Sequence, residues 1–119
     1  MNYSRKELEL RLKKFALRVL GLVKALPKTE ENRIYGSQIL RSSSSIGANY
    51  AEAICSQTKK DFINGLNICR KETKETCYWL DLIFEANPTV QKRMKDLIEE
   101  GQEILKIFTS SVKTSKEKS

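Results

Sequence analysis

The chain has 119 residues, the size of one ordinary domain, and is long enough to bury a core without metals or disulfides. It carries 22 basic and 15 acidic residues for a net charge of +7, and it contains no histidine. The missing histidine removes the commonest general base and the commonest nitrogen ligand, and with them the Glu-x-x-His pairs of a di-iron bundle.

The first predicted element is a helix from Ser4 to Leu26, opened by the capping-box spacing Ser4-x-x-Glu7 and closed by Pro27. Leu8, Leu12, Phe15, Val19, Leu22 and Leu26 alternate at spacings of four and three, the seam of a bundle helix. Charge concentrates here: Met1 to Lys28 holds eight basic and two acidic residues. Arg11, Lys14 and Arg18 fall on one flank and are the candidate nucleic-acid-binding residues, the alternative being a solvated face that keeps the chain soluble.

A second helix is predicted from Thr29, with Glu30 and Glu31 placed well for the helix dipole, to about Ser56–Thr58. Four consecutive serines would ordinarily suggest a linker, yet Tyr35, Ile39, Ser42, Ile46, Asn49 and Ala53 form one helical stripe. Ser42 then lets a neighbouring helix approach closely, and Asn49 is the candidate buried asparagine that sets register. A second stripe on the same helix comprises Ile34, Gln38, Arg41, Ser45, Ala48 and Glu52.

The third helix takes Phe62, Leu66, Cys69, Thr73, Thr76, Leu80 and Ile83 as its core stripe. At roughly 100° per residue, Ile68, Glu72, Glu75, Trp79 and Leu82 lie on a second face. Arg41 is the expected cation for its carboxylates, with Glu75 as the favoured partner and Glu52 and Glu72 as substitutes. An exposed face holding Ile68, Trp79 and Leu82 points to self-association, against the alternative of a broad bundle interior that reaches round to Trp79. Arg41, Ser45, Glu52, Ile68, Glu72, Glu75, Trp79 and Leu82 are the expected interhelix or oligomer contacts.

Asn87 and Pro88 are expected to cap and begin a fourth helix, with Val90, Met94, Leu97, Gly101, Ile104 and Phe108 as its stripe. From Lys113 onward apolar character is lost, so residues 113–119 are expected to form a frayed basic tail behind a single domain of residues 1–112. Short connections make an all-α, antiparallel up-down-up-down four-helix bundle the economical fold.

Three cysteines without a CxxC arrangement argue against a disulfide framework and for a reducing compartment. The N-terminus lacks the apolar core of a signal peptide, and no stretch approaches the roughly 18 apolar residues of a membrane span, so a cytoplasmic protein is expected. The five glycines stand singly and make no phosphate-binding loop. Glu99, Glu100 and Glu103 read as a solvated charge run. No catalytic, cofactor or metal residues are therefore assigned.

The segment from Arg41 to Ala53, with Glu72 to Leu80, resembles the four-helix-bundle proteins encoded within intervening sequences of bacterial 23S ribosomal RNA genes. Gln38, Arg41, Ser45, Ile46, Asn49, Ala51, Glu52, Glu75, Tyr78 and Trp79 carry the resemblance, which covers roughly Leu12 to Phe108. Ala53 stands where many relatives have glycine. The resemblance implies a ring-shaped homopentamer and a link to RNA, and similar bundles resemble accessory proteins of retroelement reverse transcriptases. The expected function is a non-enzymatic oligomer associated with RNA or another nucleic acid through helix one; the alternatives are a protein-interaction scaffold and a reverse-transcriptase accessory protein.

Overall fold

Hydroxyl caps set where three of the helices begin. In the computed structural model, which describes residues 3–118, the side chains of Ser4, Thr29 and Thr58 accept hydrogen bonds from the backbone N–H groups of Glu7, Asn32 and Asp61 at 3.0, 3.2 and 3.1 Å. Each satisfies one of the donors that a helix start leaves unpaired. The helices are α1 (Arg5–Ala25), α2 (Glu30–Ala53), α3 (Lys59–Ala86) and α4 (Gln91–Glu117), with a 3-10 turn at Pro88–Val90 before the last.

The four form an all-α up-and-down bundle about 47 Å long. Each buries its predicted seam: Leu8, Leu12, Phe15 and Val19 of α1, Ile39 and Ile46 of α2, Leu66, Leu80 and Ile83 of α3, and Met94, Ile104 and Phe108 of α4 make one core. Packing is closest between α2 and α3 and loosest between α1 and α4. Near the turn that joins α2 to α3, a Cβ added to Gly65 would lie 2.6 Å from the Cβ of Ala53. The two backbones touch there, which only glycine permits.

Further along the α2–α3 contact the core is polar. Thr76 Oγ1 donates to Ser42 Oγ at 2.8 Å, with the Glu72 carbonyl at the same distance as an alternative acceptor, and Thr73 Oγ1 donates to the Cys69 carbonyl at 2.7 Å. Ser42, Thr73 and Thr76 are fully buried, and local carbonyls satisfy hydroxyls that would otherwise be costly in the interior.

Four expectations from the sequence are corrected. Helix α2 ends at Ala53 rather than at Ser56–Thr58, because Thr58 caps α3 and the chain must turn between them. Asn87 and Pro88 open the 3-10 turn rather than α4 itself: Asn87 holds the cap position without a side-chain cap bond, its amide being buried against Asn32, and Pro88 is the first residue of that turn. Asn49 is only half-buried and donates to the Ser45 carbonyl within its own helix at 2.8 Å, so it sets no register between helices. Helix α4 continues through the supposed tail to Glu117, since Val112 is buried and Ser111 Oγ bonds back to the Ile107 carbonyl.

Candidate interaction face of α2 and α3

Arg41 projects from α2 across to α3, where its guanidinium pairs with Glu75 and, at 3.3 Å, with Glu72. Its Nε also reaches Gln38 Oε1 on the preceding turn at 3.4 Å. Glu75 is shared: Trp79 Nε1 donates to its Oε2 at 2.9 Å, so the carboxylate is held between a cation and an indole. Trp79 is half-buried, with its ring 6.2 Å from Tyr35 of α2 and edge-on to Tyr78 at 5.2 Å. Three aromatic rings and a charged triad therefore occupy one patch.

The patch is accessible. Arg41 is 48% exposed and Glu75 37%, so this is a surface network rather than a buried pair. Tyr78 is 58% exposed, and Ile68 and Ile34 are also exposed large apolar side chains. Leu82 and Ser45 are half-buried, the latter with its hydroxyl on the Arg41 carbonyl at 2.7 Å. Glu52 is exposed and takes no part in the ion-pair network of Arg41. Sequence reasoning missed Tyr35 as an aromatic neighbour of Trp79, because it assigned that residue to the core stripe.

The α1 flank is different from the one expected. Arg11 is not a free cation: its Nε and Nη2 bind Glu100 of α4 at 2.7 and 2.8 Å, and Nη1 bonds to the Tyr3 hydroxyl. The bidentate hydrogen bonding to Glu100 raises the Arg11 pKa still further, more than burial lowers it. Arg18 borders a cleft to which α4 contributes Asp96, Glu99, Glu100 and Glu103 together with Lys106, so carboxylates outnumber cations around it. Lys14 is exposed. The three residues therefore do not make one unopposed positive surface.

Burial pushes the thiols of Cys69 and Cys77 up to about 12 and about 11, while Cys55 is exposed. Among the described residues no group of three or more His, Cys, Asp or Glu side chains converges as a metal site, and no helix is long and apolar enough to cross a membrane.

The profile of the 23S rRNA-intervening sequence protein family matches residues 10–110, which span all four helices. The chain belongs to that family. A 23S rRNA-intervening sequence protein thus presents the Arg41–Glu75–Trp79 cluster on its α2–α3 face. Its fold is similar to a crystal structure of a protein with unknown function from the S23 ribosomal protein family of Bacteroides thetaiotaomicron VPI-5482. The TM-score is 0.82 with 36% sequence identity, covering 92% of this chain and 97% of that one. No curated protein matches the chain.

Proposed function

We propose that this 23S rRNA-intervening sequence protein is a non-enzymatic assembly module that self-associates through its α2–α3 face. The observation that carries the reading is the pairing of Arg41 with Glu72 and Glu75 beside a half-buried tryptophan, ringed by exposed Tyr78 and Ile68. Aromatic and arginine anchors within an apolar surround are what a protein contact uses, whereas a solvated face would carry neither. A ring of five copies, the arrangement its family resemblance implies, is the working stoichiometry.

Light scattering tests this directly. The wild type is expected at a multiple of 13.7 kDa, and Trp79→Ala or Tyr78→Lys is expected to shift it towards the protomer while Glu103→Ala does not. A protomer-sized wild type at about 50 µM, where a stable assembly would be formed, overturns the proposal.

A second reading, association with RNA, is favoured by the net charge of +7 and by the family's description. Arg11 is neutralised, so the contact would rest on the exposed Lys14 and other unpaired cations, and it would be salt-sensitive and weakly sequence-specific. Binding to a generic RNA across a salt series reads this out, and no binding at low salt by the intact oligomer leaves the protein scaffold as the reading.

A further inference from the structure

At the end of the bundle where α1 and α3 begin and α2 and α4 finish, a cleft of about 440 Å³ opens to solvent. Its walls combine three chemistries. Tyr3, Tyr50 and Phe62 supply aromatic surface, Arg5 and Lys118 supply positive charge, and Thr114 supplies a hydroxyl. Among the described residues no carboxylate side chain lines it. Neither Arg5 nor Lys118 takes part in the ion pairs found among the described residues, which engage Arg11, Arg33, Arg41 and Lys106 instead.

The aromatic walls are held in place. The Arg11 guanidinium, fixed by Glu100, lies 5.2 Å from the centroid of the Tyr3 ring and bonds to its hydroxyl. The Arg5 guanidinium lies 5.4 Å from the centroid of Phe62. Tyr50 is buried and set edge-on against Phe108 of the core at 5.9 Å. The C-terminal end of α4 is negative by its dipole, and Lys116 and Lys118 offset it.

We infer that this cleft binds a nucleotide, with the base against the aromatic walls and the phosphate at Arg5 and Lys118. The volume lies in the range of small-ligand sites, roughly 300–1,000 Å³. Planar bases stack on aromatic side chains without needing a sequence-specific partner, and phosphate is recognised by arginine and lysine donors. A purely apolar ligand would leave the positive charge of Arg5 and Lys118 unmatched, and inorganic phosphate would make no use of the aromatic walls. The shared chemistry is an aromatic base carrying a 5′-phosphate, either as a free mononucleotide or as the end of a single strand. The site is complete within one protomer and does not rest on self-association.

The test is an NMR titration of the isotopically labelled full chain with adenosine 5′-monophosphate, alongside adenosine, inorganic phosphate and a 5′-phosphorylated tetranucleotide. The expected result is saturable shifts of the Arg5, Phe62 and Thr114 amides with a dissociation constant of about 1 mM or below, and at least about tenfold weaker binding of adenosine or phosphate alone. Arg5→Gln combined with Lys118→Gln should weaken the nucleotide about tenfold, and Phe62→Leu should weaken it with the phosphate control unchanged. A tetranucleotide that binds more tightly identifies a strand end as the ligand, and equal affinity identifies the free nucleotide. No shifts at about 10 mM, enough to saturate a millimolar site, shifts confined to other surfaces, or binding indifferent to the double substitution overturns the inference.

Discussion

Asn32 and Asn87 exchange two amide hydrogen bonds, 2.8 and 2.9 Å long, across the end of the bundle where the α1–α2 and α3–α4 connections meet. The remaining amide protons go to the Pro27 and Ile83 carbonyls at 2.9 and 3.0 Å, so two buried polar side chains are satisfied by each other, by the α1–α2 connection and by the last turns of α3. Removing one partner strands the other. Asn32→Ala should therefore cost about 1–3 kcal/mol in urea denaturation, and the double Asn32→Ala, Asn87→Ala variant should cost less than the sum of the single changes. Additive losses would show that the amides do not act as a pair.

Arg41→Ala should have two separable effects. A buried ion pair would lose about 3–5 kcal/mol on truncation, but this guanidinium is half exposed, so the isolated protomer should lose only about 1 kcal/mol or less. Self-association should weaken far more. Denaturation at low protein concentration measures the first effect and sedimentation measures the second; a large loss with unchanged assembly would assign Arg41 to the fold alone.

On the α1 flank the same substitution should give different answers at neighbouring positions. Arg11→Gln removes a bidentate, mostly buried bond to Glu100 and should cost about 2 kcal/mol. Lys14→Gln with Arg18→Gln should stay within about 0.5 kcal/mol of wild type, as exposed substitutions do. Thermal melts of the two variants make the comparison.

Glycine-to-alanine changes should differ in sign. At Gly21 an added Cβ meets nothing within 4 Å, so alanine should stabilise α1 by up to about 1 kcal/mol through helix propensity. At Gly65 the new atom collides with Ala53, including its Cα at 3.2 Å, and the forced separation of α2 and α3 should cost about 1–3 kcal/mol net.

Thiol chemistry should separate the three cysteines. Cys55 should react with a thiol reagent in the native state, whereas Cys69 and Cys77 should react only on unfolding. Burial favours the neutral thiol of both buried residues, raising their pKa values above those of the unfolded chain. Their contribution to stability should therefore be intact below about pH 9 and fall as pH rises from there towards 11, because the unfolded state loses its protons first. Cys69→Ala should reduce that alkaline loss, as read by denaturation at a series of pH values.

The seams of α1, α3 and α4 were legible because aliphatic residues at four-three spacing have no competing interpretation. Helix α2 was harder, since its serines suit two adjacent stripes. Asn32, Gly36, Ile39, Ser43, Ile46, Tyr50 and Ala53 follow the same spacing and are all buried, so the sequence already held a stripe ending on Asn32. Asn49 drew attention instead because it sits between serines and alanines. The partnership of Arg11 with Glu100 was not legible, because 89 residues separate them and a carboxylate run on α4 looks alike at every position. The cleft behind Tyr3 and Lys118 was hidden by the polar composition of residues 113–119, which conceals a helix held by one buried valine and local hydroxyl bonds.

The backbone contact of Gly65 with Ala53 has a kinetic consequence. It lies beside the short turn between α2 and α3, so this close backbone approach is also a local one, and little chain must be closed to form it. The α2–α3 hairpin should be the nucleus on which the other helices condense, and its amides should exchange with solvent last. Helix α1, tied to α4 by sparse contacts and one ion pair, should open first. Such opening would release Tyr3 and Arg11 together, leaving the proposed interaction face, which belongs wholly to the hairpin, intact in a partly unravelled protomer.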